Sequence, residues 1–103
     1  GMPHFNAFRD EVHEQYKGFP RDLLEALVRR HGTRTLDILA GARKPEELGR
    51  HFGHGLTARE VEYLVAEEWA ESAEDILWRR TKCGLHLDAA GRAALEDYLQ
   101  SRP

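Results

Sequence analysis

The spacing of apolar residues constrains this chain more than any other feature. They recur three and four positions apart, as on a helix face, and strand-like alternation is scarce. The runs are short, and Gly or Pro cuts most of them. Asn6 to Tyr16 reads as a first helix with Phe8 and Val12 on one side. Gly18-Phe19-Pro20 breaks it, and Pro20 is placed as the first residue of the next helix. That helix aligns Leu23, Leu24, Leu27 and Val28 and stops at Gly32, with Arg29, Arg30 and His31 at its negative dipole end. A third, short helix carries Leu36, Ile38 and Leu39 and ends near Gly41; Pro45 opens a fourth over Glu46 to Phe52. Thr57 and Glu60 form a Thr-x-x-Glu capping box, with Leu56 and Val61 as its hydrophobic staple. The fifth helix should bury Val61, Leu64, Val65 and Trp69. Ser72 and Asp75 repeat the box and start a sixth with Ala73, Ile76, Leu77 and Arg80 on one face and Gly84 as its C-cap. Asp88 caps a terminal helix presenting Leu95, Tyr98 and Leu99. The expected fold is all-α: one small domain of five to seven short helices, orthogonal and bundle-like.

A chain of 103 residues holds one small domain and is too short to enclose a large cofactor and a substrate together. Apolar residues make up 41% and charged ones 32%, a globular balance that argues against disorder. No run approaches the ~18 apolar residues of a membrane span, and no leader pattern opens the chain. A lone cysteine makes neither an internal disulfide nor a Cys-based zinc site, which suits a reducing, cytoplasmic setting. The net charge of −3 supplies no general attraction to nucleic acid. Gly1 ahead of Met2 reads as a tag-cleavage scar on a domain cut from a longer protein.

Several motifs compete for a chemical role. Gly53-His54-Gly55-Leu56-Thr57-Ala58 fits G-x-G-x-x-[GA], but a dinucleotide site needs a strand before the glycines, and Gly49 to Phe52 reads as helix. The glycines are therefore taken as a turn and a flexible helix entry. His51 and His54 have ligand spacing without a third ligand, which leaves two partly exposed histidines beside a turn. Cys83 sits at a helix C-terminus, where the dipole disfavours a thiolate, so a packed thiol is expected. Leu56 to Glu62 resembles the opening of a response-regulator-type helix-turn-helix. From Glu60 to Asp75, however, there are seven acidic side chains and no basic one, which would repel phosphate. Arg79, Arg80 and Lys82 form either an anion site or a complement to the helix dipole. Trp69 and Trp78 are read as core or interface anchors.

Residues 67 to 85, EEWAESAEDILWRRTKCGL, carry a specific resemblance. The acidic-Trp-Ala opening (Glu68, Trp69, Ala70), the Asp-hydrophobic-Leu-Trp core (Asp75 to Trp78) and Arg79-Arg80-Thr81-Lys82-x-Gly84-Leu85 resemble a C-terminal signature. It is that of the flavin-dependent (aerobic, quinone-reducing) glycerol-3-phosphate dehydrogenases. Upstream, Arg30-His31-Gly32-Thr33-Arg34 and Leu48-Gly49-Arg50-His51-Phe52-Gly53 resemble further elements of that family, so the similarity covers roughly residues 20 to 100. Ser72 stands where Thr is usual, Cys83 where Leu is usual, and His31 where an aromatic is usual.

The resemblance implies a parent enzyme that binds FAD, oxidises sn-glycerol 3-phosphate to glycerone phosphate and passes electrons to quinone at the inner face of the cytoplasmic membrane. The residues for that chemistry would lie in a larger N-terminal region, and no catalytic, cofactor or metal residue is assigned to this chain. Its expected role is to dock against that FAD and substrate region, and against a second subunit, through Trp69, Trp78, Arg79, Arg80, Thr81 and Lys82. A partly polar inter-domain contact would suit them. Two other readings stand beside it: a free-standing helical interaction module without redox role, and a sensor of a phosphate-bearing metabolite at the Arg79–Lys82 cluster.

Overall fold

The computed structural model describes residues 3–102, so the Gly1-Met2 reading lies outside the described residues. The helical class holds: five α-helices dominate, and the only sheet among the described residues has two short strands. The chain divides into two compact units at Leu48/Gly49, although no linker separates them.

The first unit contains α1 (Pro3–Gln15), α2 (Arg21–His31) and α3 (Thr35–Leu39), with 3₁₀ turns at Gly32–Arg34 and Pro45–Leu48. The expected stripe of Leu23, Leu24, Leu27 and Val28 is buried. Val12 of α1 is buried as well, and Tyr16 and Phe19 meet edge-to-face at 5.4 Å in the turn before α2. Pro20 precedes α2 as its N-cap, one position earlier than expected. Gly32 ends the helix at φ 57°, with its N–H on the Val28 carbonyl. His13 Nε2 lies 3.0 Å from Glu25 Oε1, tying α1 to α2.

The second unit holds strands β1 (His51–Gly53) and β2 (Leu56–Thr57), α4 (Ala58–Glu68), a helix over residues 73–80, a 3₁₀ turn (Cys83–Leu85) and α5 (Ala89–Ser101). The helix expected over Glu46 to Phe52 is not formed. Only Pro45–Leu48 turns, as 3₁₀; Gly49 then takes φ 82°, and His51 pairs antiparallel with Thr57 and Gly53 with Leu56. Burial of Phe52 in the unit's core makes extended backbone worth more here than the helical propensity of Glu46 and Glu47. His54 and Gly55, both at positive φ, make the two-residue reversal between the strands.

Thr57 is the N-cap of α4, but its side chain makes no capping bond. It is buried in the strand pair, while the Ala58 N–H is satisfied by the Arg50 carbonyl at 2.8 Å. The staple residues Leu56 and Val61 are both fully buried in one core with Leu64, Ala73, Ile76, Leu77, Cys83, Leu87 and Leu95. Trp69 departs from the expected stripe: α4 ends at Glu68, so the helical period no longer governs position 69, and the indole is 80% exposed. Arg80 also lies outside the buried face that Ala73, Ile76 and Leu77 share. Asp88 caps α5 by accepting from the Gly91 N–H at 2.8 Å.

At Gly91, α5 approaches β1 so closely that a Cβ would stand 2.5 Å from the Phe52 carbonyl oxygen. Backbone cannot swing away as a side chain can. Gly91→Ala should therefore destabilise the protein by ~1–3 kcal/mol, the usual overpacking range. A urea or thermal melt of the variant checks this.

Candidate functional site

The signature segment is a reversal of the chain built on two capping devices. The first is the Ser72 box: the Asp75 N–H donates to Ser72 Oγ at 3.1 Å, and the Glu71 N–H donates to Asp75 Oδ2 at 3.3 Å. This repeats the expected box, with the return bond one residue outside the cap. The second device ends the helix. Asp75–Arg80 is wound as π-helix, and the Thr81 N–H reaches the Ile76 carbonyl five residues back at 3.0 Å. The Thr81 hydroxyl donates to the same carbonyl at 2.8 Å and accepts from the Cys83 N–H at 3.1 Å. Thr81 is thus a buried internal knot that shapes the surface from inside.

Past the knot, Lys82 takes the left-handed conformation (φ 60°) and Cys83 enters the core fully buried, as a packed thiol should. Gly84 follows in the 3₁₀ turn, not as the C-cap the sequence led us to expect; Thr81 and Lys82 already end the helix. A Cβ on Gly84 would lie 2.7–2.9 Å from three atoms of the Trp78 indole. The ring packs directly on the glycine, which leaves Trp78 43% exposed, while neighbouring Leu85 is 72% exposed.

Trp69, Trp78, Arg79, Arg80 and Lys82 are all at the surface. Arg79 Nε lies 3.8 Å from Asp75 Oδ1, and Arg80 Nη1 lies 3.7 Å from Glu68 Oε1. The second pair joins the end of α4 to the end of the π-helix. Two of the three cations in the cluster therefore face carboxylates, the arrangement that complements a helix dipole. Surface pairs of this kind are worth ~0–1 kcal/mol each. They position charge more than they stabilise.

The other motifs resolve differently. The glycines of Gly53–Ala58 do follow a strand, contrary to expectation, yet the turn leads into an antiparallel second strand before α4 begins. A phosphate loop needs the helix N-terminus directly after the glycine turn. This geometry does not fit a dinucleotide. His51 Nε2 accepts from the Gly55 N–H at 3.0 Å, and His54 stacks on His86 with ring centroids 4.0 Å apart. No group of three metal-ligating side chains occurs among the described residues, nor does any helix long and apolar enough to cross a membrane.

Sequence reasoning missed one cluster. Arg102 holds Glu62 in a bidentate pair, donating from Nε to Oε2 at 2.9 Å and from Nη2 to Oε1 at 2.7 Å, and the Tyr98 hydroxyl donates to the same carboxylate. The i, i+4 spacing of Tyr98 and Arg102 is visible in sequence; their partner on α4, 36 and 40 residues upstream, is not. The Arg102 hydrogen bond holds the Glu62 carboxyl below its usual range, against the opposing pull of burial. Burial and then the Glu62 contact push the Tyr98 phenol up to about 12.

Two outcomes follow from this geometry. Gly84→Ala should push the indole off the turn, shifting Trp78 fluorescence to the red and costing ~1–3 kcal/mol. The clamp should also give stability a pH dependence at both ends. Glu62 binds its proton less readily when folded, so its contribution is complete above the ordinary carboxylate range and fades as pH falls through the lowered value. Tyr98 holds its proton more tightly when folded, so its contribution is complete below the ordinary phenol value and fades as pH rises towards about 12. Against wild type, urea midpoints of Glu62→Gln should differ by a constant amount near neutrality and converge in strong acid. Tyr98→Phe should flatten the alkaline limb.

Comparison with known proteins identifies the family. A family described as the C-terminal domain of alpha-glycerophosphate oxidase matches residues 4–101. A D-erythritol 1-phosphate dehydrogenase of Brucella abortus is 46% identical over 97 residues, covering 94% of this chain and 19% of the relative. A glycerol-3-phosphate dehydrogenase of Pseudomonas aeruginosa is 43% identical over 100 residues, covering 97% and 20%. The aerobic glycerol-3-phosphate dehydrogenase of Escherichia coli is 33% identical over 88 residues, covering 85% and 18%. The chain spans about a fifth of the length of the curated relatives it matches. With a family match over nearly its whole length, the chain belongs to the C-terminal domain family of alpha-glycerophosphate oxidase, which it shares with the glycerol-3-phosphate dehydrogenases.

Proposed function

We propose that this chain is the non-catalytic C-terminal domain of an FAD-dependent dehydrogenase of polyol phosphates, and that its work is to pack against the catalytic region of the same polypeptide. Membership of a C-terminal domain family over residues 4–101 carries the reading. The glycine turn that could have cradled a pyrophosphate closes a hairpin instead, which supports assigning FAD to the region outside this chain. The parent oxidises sn-glycerol 3-phosphate to glycerone phosphate and delivers the electrons to quinone from the cytoplasmic face of the membrane. Docking uses the surface of Trp69, Trp78, Arg79, Arg80 and Lys82, with Thr81 holding its shape from beneath. A second copy of the parent is a further candidate for the same surface.

D-erythritol 1-phosphate is the second substrate reading, favoured by the 46% identity to a dehydrogenase of that name. Both substrates carry a phosphomonoester on a polyol. A domain that does not enclose the substrate has little reason to encode the choice between them.

The test uses the full-length polypeptide whose C-terminal segment is this chain, assayed with both substrates. It should hold FAD and oxidise at least one of them. Replacing Arg79 and Arg80 by Ala should loosen the domain, seen as faster proteolysis at the junction and a lower thermal midpoint. Unchanged assembly and stability would remove those arginines from the docking surface. A reading frame that begins at Met2 would overturn the proposal and leave a free-standing interaction module.

A further inference from the structure

Resting on that reading, we infer that Trp69 is the anchor of the docking surface, inserting into an apolar pocket with a cationic rim on the catalytic region of its own polypeptide. Trp69 adopts φ 61° and ψ 31°, the left-handed region, as the residue that closes α4. Helix ends of this kind favour glycine, and a bulky residue there is an outlier. The position also leaves the indole 80% exposed. Folding of this domain explains neither choice: the backbone asks for Gly, and the side chain covers almost nothing. Strain of this sort, held by its surroundings, marks a residue kept for another purpose.

The surroundings do hold it. The Leu64 carbonyl accepts from the Trp69 N–H and, at 3.1 Å, from the Ala70 N–H, while Ala70 is buried. Glu68, one residue before, is fastened to Arg80 at 3.7 Å. The indole is therefore presented on a fixed backbone, which lowers the ordering cost of binding, and Trp leads the residues that serve as interface anchors. Trp78 differs, because its ring already packs on Gly84 within the domain.

Charge selects the partner's chemistry. Glu67 and Glu71 flank Trp69 in a stretch with seven acidic side chains and no basic one from Glu60 to Asp75, of which Glu68 and Asp75 already face Arg80 and Arg79. A complementary pocket is apolar at its floor and carries Arg or Lys at its rim. The relatives supply the place for it, since this chain accounts for only 19–20% of their length in the two cases of highest coverage.

Trp69→Gly separates the possibilities, because its two expected effects have opposite sign. In the 103-residue chain the melting temperature should stay the same or rise, since Gly suits the backbone there. In the full-length polypeptide the wild type should melt in one transition. Trp69→Gly should release a separate domain transition and speed proteolysis at the junction, and Trp69→Phe should restore the single transition. If the full-length glycine variant melts as wild type does, Trp69 is not the anchor, although docking through another surface stands. A drop in the melting temperature of the 103-residue chain would make the indole part of the domain's own fold and overturn the inference. If the domain already melts separately in the wild type, the proposed function itself fails.

Discussion

One hydroxyl organises the signature segment. Thr81 Oγ1 donates to the Ile76 carbonyl, which the Thr81 N–H also reaches, and accepts from the Cys83 N–H, so one buried side chain joins the end of the helix to the turn that follows it. The rest follows in order. Cys83 turns inward, Gly84 passes beneath the indole of Trp78, and Leu85 is left outside. A residue that looks polar and exposed in an Arg-Arg-Thr-Lys string is the one whose side chain is spent inside.

The neighbouring charges are arranged around this reversal without powering it. The acidic stretch and the basic cluster meet in Glu68–Arg80 and Asp75–Arg79, contacts of 3.7 and 3.8 Å between surface arginines and half-buried carboxylates. Their energies are small, yet they fix which part of the surface is anionic and which is cationic. A net charge of −3 conceals that division.

What was legible in the sequence depended on whether the governing interaction was local. The Ser72 box, the Asp88 cap and the apolar stripes involve residues within a turn or two of each other, and they appear where the pattern puts them. The family signature was equally legible, because it is a matter of residue order alone. Errors arose where a distant partner or a chain reversal intervened. Phe52 leaves the expected helix because a hairpin places it in the core, and Thr57 gives up its capping bond to that same hairpin. Trp69 looked buried only because a helical period was extended one residue beyond the helix. The Glu62 clamp spans 36 and 40 residues, and no local rule finds it.

The π-helical winding at Asp75–Arg80 has a bearing on how this segment tolerates change. A π-turn takes in one more residue than an α-turn before the backbone comes round again. The rotation at which Thr81 meets the Ile76 carbonyl therefore depends on how many residues lie between them. The stretch is, mechanically, a counted length as well as a set of side chains: losing a single residue would turn the whole reversal about its axis.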